Sequence, residues 1–217
     1  MKIYEQYSQL EPFVGDRYLE KEGSAPRLLI IGESSYLPEK YESLTTAEKW
    51  YEGAASDIKN EDDLDCLKYR QEGFINDAEN KTNGIWNRVY KTINESGPNH
   101  PNYKEVIRET AYFNFFLRPG IKGESIAKNG FDPQKDTQIA NEQFRYQYKK
   151  LKPTAILFIS KFAYNHFRSQ EVEGLVSKIG VIRHPCSSWW NRTTKNIPRN
   201  SREELADFIK DLQWPKA

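Results

Sequence analysis

The chain has 217 residues, 37% hydrophobic, 29% charged and 13% aromatic, with a formal net charge of +1. This is the size of one large domain, read here as a single unit over 1–217, with rings furnishing much of its core. No run of about 18 apolar residues exists and the first ten residues lack a signal-peptide pattern, so a cytoplasmic protein without a membrane segment is expected.

Two cysteines far apart, Cys66 and Cys186, read as free thiols and are too few to hold a four-cysteine iron–sulfur cluster. The three histidines, His100, His166 and His184, have no metal-binding spacing, and neither a metal nor a cofactor is expected.

In chain order, the first apolar run is 28–31 (Leu-Leu-Ile-Ile), set between Pro26 and Gly32. Acidic residues dominate 52–65, and 57–82 is the least patterned stretch, read as an insertion or an irregular helix pair. Ile85, Trp86, Val89, Tyr90 and Ile93 recur at helical spacing. The run 111–117 (Ala-Tyr-Phe-Asn-Phe-Phe-Leu) ends at Pro119-Gly120. A helix over 137–151 carries Ile139, Phe144, Tyr148 and Leu151 on one side, and the run 155–159 follows Pro153. A short helix over 162–167, a weaker run over 179–182 and a helix over 202–212 complete the set. Ser201, with Glu204 three residues on, reads as the cap of the last helix. Near-continuous runs of four to seven residues read as strands buried on both faces. Alternating with helices, they imply an α/β fold, a three-layer α/β/α sandwich around a mainly parallel four-stranded sheet. Ligands of such sheets bind at the carboxyl ends of the strands, at 32–38, 114–120, 160–161 and 184–191.

Those strand ends carry a resemblance. The segment 27–36 (Arg-Leu-Leu-Ile-Ile-Gly-Glu-Ser-Ser-Tyr) resembles the first signature of uracil-DNA glycosylases, and 181–188 (Val-Ile-Arg-His-Pro-Cys-Ser-Ser) resembles the second. The segment 111–114 occupies the place of the strand ending in a base-reading Asn, and 153–158 that of the third strand. The Gly-Glu-Ser-x-Tyr form is similar to a divergent branch of that superfamily. The resemblance implies a metal-independent hydrolase of N-glycosyl bonds in DNA repair, acting on uracil or another deaminated or damaged base. The base would be flipped from a duplex or taken from a single strand. A catalytically inactive member, binding nucleic acid or a free base or nucleotide, is the alternative.

Breaking the C1′–N bond requires a donor for the departing base, an amide to read its edge, a ring to stack on it and a group facing the sugar's positive charge. His184 is the candidate donor, and Glu33 the candidate carboxylate for the water or the oxocarbenium charge. Ser34 stands where the family often has Asp or Asn. Asn114 would read the base; Tyr36 would wall the pocket, unless it is a core aromatic. Either Trp86 or Phe115 would stack. DNA contacts are assigned to Arg183, Ser187, Ser188, Trp189, Trp190, Arg192 and Lys195, in a basic stretch over 174–201 that holds no acidic residue. A monomer is expected. The sequence departs from the family at Ser34, at Ser35 in place of Pro, at Cys186 in place of Ser, and at Ser188, too small for a wedge. Two rival motifs fail: Tyr36 stands where G-x-S-x-G needs its second Gly, and no G-x-G-x-x-G follows the first strand.

Overall fold

In a computed structural model of the chain, residues 10–20, 25–60, 62–63, 84–121, 124–175 and 177–215 are described, the side chain of Trp189 excepted. Cys66 and most of the unpatterned stretch 57–82 lie outside the described residues.

The protein is mixed α/β with a mostly parallel central sheet. Its parallel strands are β2 (Leu28–Gly32), β4 (Thr110–Asn114), β6 (Ala155–Phe158) and β7 (Lys178–Val181), in the spatial order β4-β2-β6-β7. The sheet has five strands rather than the four expected. β1 (Phe13–Val14) adds an antiparallel edge beside β4, pairing Phe13 with Tyr112 and Val14 with Ala111. Two residues are too short a stretch for any periodicity to register. β7 also differs from the expected doubly buried strand. It pairs on one side only, so its Lys178 is exposed and its Ile179 and Val181 are only half-buried.

Side chains alternate across the sheet, as the pleat requires. Leu28 and Ile30 enter one cluster, with Val89, Tyr90 and Ile93 of α2 (Gly84–Ser96) and Leu205 and Ile209 of α6 (Ser201–Asp211). Leu29 and Ile31 enter the other, with Phe144 and Leu151 of α4 (Lys135–Leu151) and Ala163 of α5 (Lys161–His166). Both faces are therefore covered by helices, which explains why the strand sequences are apolar without alternation. Of two short helices, α3 (Glu105–Arg108) buries Val106 and Ile107 in the first cluster, and α1 (Ala47–Tyr51) buries Trp50 in a third, smaller one.

The last helix is capped one residue earlier than the pattern suggested. The Asn200 side chain accepts from the Glu203 N–H at 3.0 Å, and the Glu203 carboxylate accepts from the Asn200 N–H at 3.1 Å. Asn200 and Ser201 each have a Glu three residues on, so both registers satisfy the capping-box pattern. The structure buries Ser201 completely and leaves Asn200 at the boundary.

A second parallel pair, β3 (Tyr36–Leu37) with β5 (Gly120–Ile121), ties together the loops that leave β2 and β4. The ties continue through Phe115 N–H to Gly32 O at 3.1 Å, Phe116 N–H to Glu33 O at 2.9 Å and Gly120 N–H to Ser35 O at 2.8 Å. Loops bonded in this way form a rigid platform at the carboxyl edge. No helix among the described residues is long and apolar enough to cross a membrane.

Candidate active site at the carboxyl edge of the sheet

The chain leaves β2 for β4 on one side and later returns to β6 on the other, so the winding reverses at β2. Loops diverge at such a point and leave a crevice. A cavity of about 260 Å³ opens there. Its floor is Gly32, Glu33, Ser34, Ser35 and Tyr36 after β2, with Tyr112 and Asn114 from β4. Ile159 after β6, His184 after β7, and Ile85 and Trp86 from the start of α2 close the sides. Six of the residues expected in the site, Glu33, Ser34, Tyr36, Trp86, Asn114 and His184, thus share one cavity.

Asn114 is buried, and its carboxamide is held from both ends. The Tyr112 hydroxyl donates to Oδ1 at 2.5 Å, and Nδ2 donates to Ser35 Oγ at 3.0 Å. Space for this relay comes from Gly32, the ladder partner of Asn114. A Cβ on Gly32 would lie 2.2 Å from both Asn114 Oδ1 and the Tyr112 hydroxyl. Glycine here serves close approach rather than a turn.

Glu33 is half-buried and both of its carboxylate oxygens are engaged. Ser125 Oγ donates to Oε1, and Ser160 Oγ donates to Oε2 at 2.8 Å. Each serine also caps a short helical segment, accepting from Ala127 N–H and Ala163 N–H at 3.2 Å. The carboxylate is therefore fixed by groups that are themselves fixed. Ser34 contrasts with it. Its hydroxyl is buried and has no hydrogen-bond partner.

His184 begins a tight turn in which Ser187 N–H donates to its carbonyl at 2.8 Å. Nδ1 accepts from Cys186 N–H at 3.3 Å, so the neutral ring carries its proton on Nε2. Burial holds the imidazole below its ordinary value of 6.5, with the Glu33 carboxylate opposing that shift. The resting form at neutral pH is a neutral ring with a donor at Nε2.

The aromatic assignments divide. Trp86 lines the cavity and packs edge-on against Tyr112, centroids 4.6 Å apart. Tyr36 stands at the rim, 40% exposed. Phe115 does not belong to the site. It is wholly buried in the opposite cluster, among Phe116, Phe158 and Phe167. It leaves β4 just after Asn114, and the alternation of the strand sends it to the other face.

The expected DNA-contact set also needs correction. Trp190 is 4% exposed and belongs to the core cluster with Leu205, so it cannot stack on a base. The Trp189 side chain lies outside the description. Arg183 pairs with Glu204 at 3.7 Å, Lys178 donates to Asp211 O at 2.7 Å, and Arg199 pairs with Asp207. Two cations of the acid-free stretch, Arg183 and Arg199, are thus paired with carboxylates of α6, which no local count of charge could register. Arg192 and Lys195 remain exposed beside the exposed Ser188, while Ser187 is half-buried in the turn.

Tyr112, Ser125 and Ser160 complete the site without having been singled out. Tyr112 had a signal: it precedes Asn114 by two residues and so shares its face. Ser125 and Ser160 reach Glu33 from 92 and 127 residues away, and nothing local marks them. Among the described residues, no group of three or more His, Cys, Asp or Glu could hold a metal ion. No protein-family model matches the chain, and a search of curated proteins finds no match either.

Proposed function

We propose that this protein is a DNA glycosylase, with an α/β/α fold of the uracil-DNA glycosylase kind, that releases uracil or another deaminated or damaged base. The observation that carries the reading is the convergence of His184, Asn114 and Glu33, from three strand ends, around one cavity walled by Trp86 and Tyr36.

In the proposed reaction the C1′–N bond breaks, its electron pair leaves with the base, and water adds to C1′, the proton it releases ending on the base anion. The products are a free base and an abasic sugar. His184, neutral with Nε2 protonated, donates to the carbonyl oxygen of the base as negative charge develops there. A neutral donor suits this role because it strengthens its hydrogen bond in the transition state without first binding the ground state as an ion pair. Asn114 reads the base edge with a carboxamide whose orientation Tyr112 and Ser35 hold. Glu33, immobilised by Ser125 and Ser160, sets a negative charge against the oxocarbenium ion. The buried, unpartnered Ser34 hydroxyl is available to a water molecule.

One observation favours a second reading, recognition of a base or nucleotide without cleavage. Both Glu33 oxygens already accept hydroxyl hydrogens, which makes the carboxylate a poor acceptor of a proton from water. End-labelled oligonucleotides carrying uracil, hypoxanthine, xanthine or a mismatch, treated with alkali after incubation, separate the two. Abasic-site cleavage that disappears in His184→Ala supports the glycosylase; retained binding with no cleavage supports recognition alone. Asn114→Asp should change which base is accepted rather than slow all substrates equally.

A further inference from the structure

A second cavity, of about 380 Å³, lies on the neighbouring side of α2 and is lined by Gly84, Asn87, Arg88, Lys91 and Tyr103. Ile85 and Trp86 face the first cavity while Gly84, Asn87 and Arg88 face this one, so a single helical turn separates the two. A turn has a diameter of roughly 10 Å with its side chains, comparable to the reach of a nucleotide from base to flanking phosphate.

Among the described lining residues two are cations and none is a carboxylate. Arg88 Nη1 donates to Pro185 O at 2.7 Å, in the turn that carries His184. Among the described residues that carbonyl is the only partner of Arg88, which forms no ion pair and keeps its other N–H donors. Lys91 has only a long contact with Glu95, at 3.8 Å, and Glu95 also serves Arg202 at 3.2 Å. The Tyr103 hydroxyl, donating to Asn87 Oδ1 at 2.6 Å, supplies a polar wall. A planar, anchored guanidinium and an ammonium only distantly paired, with no carboxylate among the described lining residues, suit a phosphate.

We infer that Arg88 and Lys91 form a phosphodiester-binding subsite that holds the strand whose base occupies the first cavity. The inference rests on the nucleic-acid reading above and adds to it a contact outside the basic loop. Because Arg88 also ties down the His184–Pro185 turn, strand binding and the donor are coupled through one side chain.

The test is binding of a short fluorescent uracil-containing single strand over a salt series, with base release assayed in parallel. Arg88→Gln and Lys91→Gln should each weaken binding and flatten the log–log salt slope by roughly 0.7, one phosphate contact apiece. His184→Ala should leave the slope unchanged. Lys91→Gln touches no turn, so it keeps the test valid if Arg88→Gln disturbs folding. Unchanged slopes in both variants overturn the subsite, and base release by the parent protein then leaves the glycosylase reading standing. Flattened slopes without any base release support the subsite and remove the glycosylase reading. A deoxyuridine monophosphate that competes as strongly as unlabelled strand overturns the strand assignment and makes the cavity a nucleotide pocket.

Discussion

Asn114 and Arg118 leave β4 on the same loop and enter opposite kinds of polar environment. Arg118 is wholly buried and completely satisfied. It grips Asp136 through Nε at 3.0 Å and Nη2 at 2.7 Å, and donates to the carbonyls of Thr45, Asn129 and Gly130. Asp136 accepts in addition from the Tyr51 hydroxyl and the Asp132 N–H, both at 2.9 Å. Every valence is closed by the protein, so this cluster joins the α1 segment, the loop and α4 and offers nothing to a ligand. Around Asn114 the accounting stays open. The Ser34 hydroxyl has no partner, and His184 presents a protonated Nε2. Buried polar groups that are fully paired specify a structure, whereas those with unused valence around a cavity mark a site.

The comparison can be broken most easily at Arg118. Arg118→Met leaves Asp136 charged and unpaired in the interior and should cost about 3–5 kcal/mol, read from the urea midpoint. The double variant Arg118→Met, Asp136→Leu should recover most of that loss. A single variant of near-parental stability would show that the sealed cluster is not what holds the loop. His184→Ala should do the reverse, losing about 2–4 kcal/mol of transition-state stabilisation in base release with little change in the urea midpoint. If stability falls with activity, the turn is structural and the contrast fails.

Gly32→Ala sits between the two. Its Cβ must displace Asn114 Oδ1 or the Tyr112 hydroxyl, costing about 1–3 kcal/mol of stability and blurring the choice of base. An unchanged preference among oligonucleotides would mean that the relay does not orient the amide. The smallest effect is in the pH dependence of stability. Burial lowers the His184 pKa in the folded state, so below 6.5 the unfolded chain takes up the proton first. Stability is therefore complete above 6.5 and falls as the pH drops toward the folded-state value. Urea midpoints across that range should lose this acid-side decline in His184→Gln; an identical decline would assign it to other groups.

Much of the site was legible before the fold. Glu33, Ser34 and Tyr36 follow the first apolar run, Asn114 interrupts the second, and His184-Pro185 ends the last. Each stands where a parallel strand must deliver its final residues. Phe115 and Trp190 were misplaced for one shared reason. An aromatic beside a site residue carries no local sign of which face it will occupy, and both rings face the core. The pairing of Arg183 was not legible because its partner, Glu204, belongs to another element.

The apolar runs and their breakers determine by themselves that strands alternate with helices and that polar residues collect at strand ends, because periodicity and turn chemistry are local. Which ends meet is decided only by the winding of the sheet. It brings β4, β2, β6 and β7 side by side and sets Gly32 against Asn114. It also lets two distant serines close on Glu33 and sets Glu204 and Asp207 of α6 against Arg183 and Arg199. Those outcomes depend on contacts between residues far apart in the chain, whose geometry no local pattern encodes.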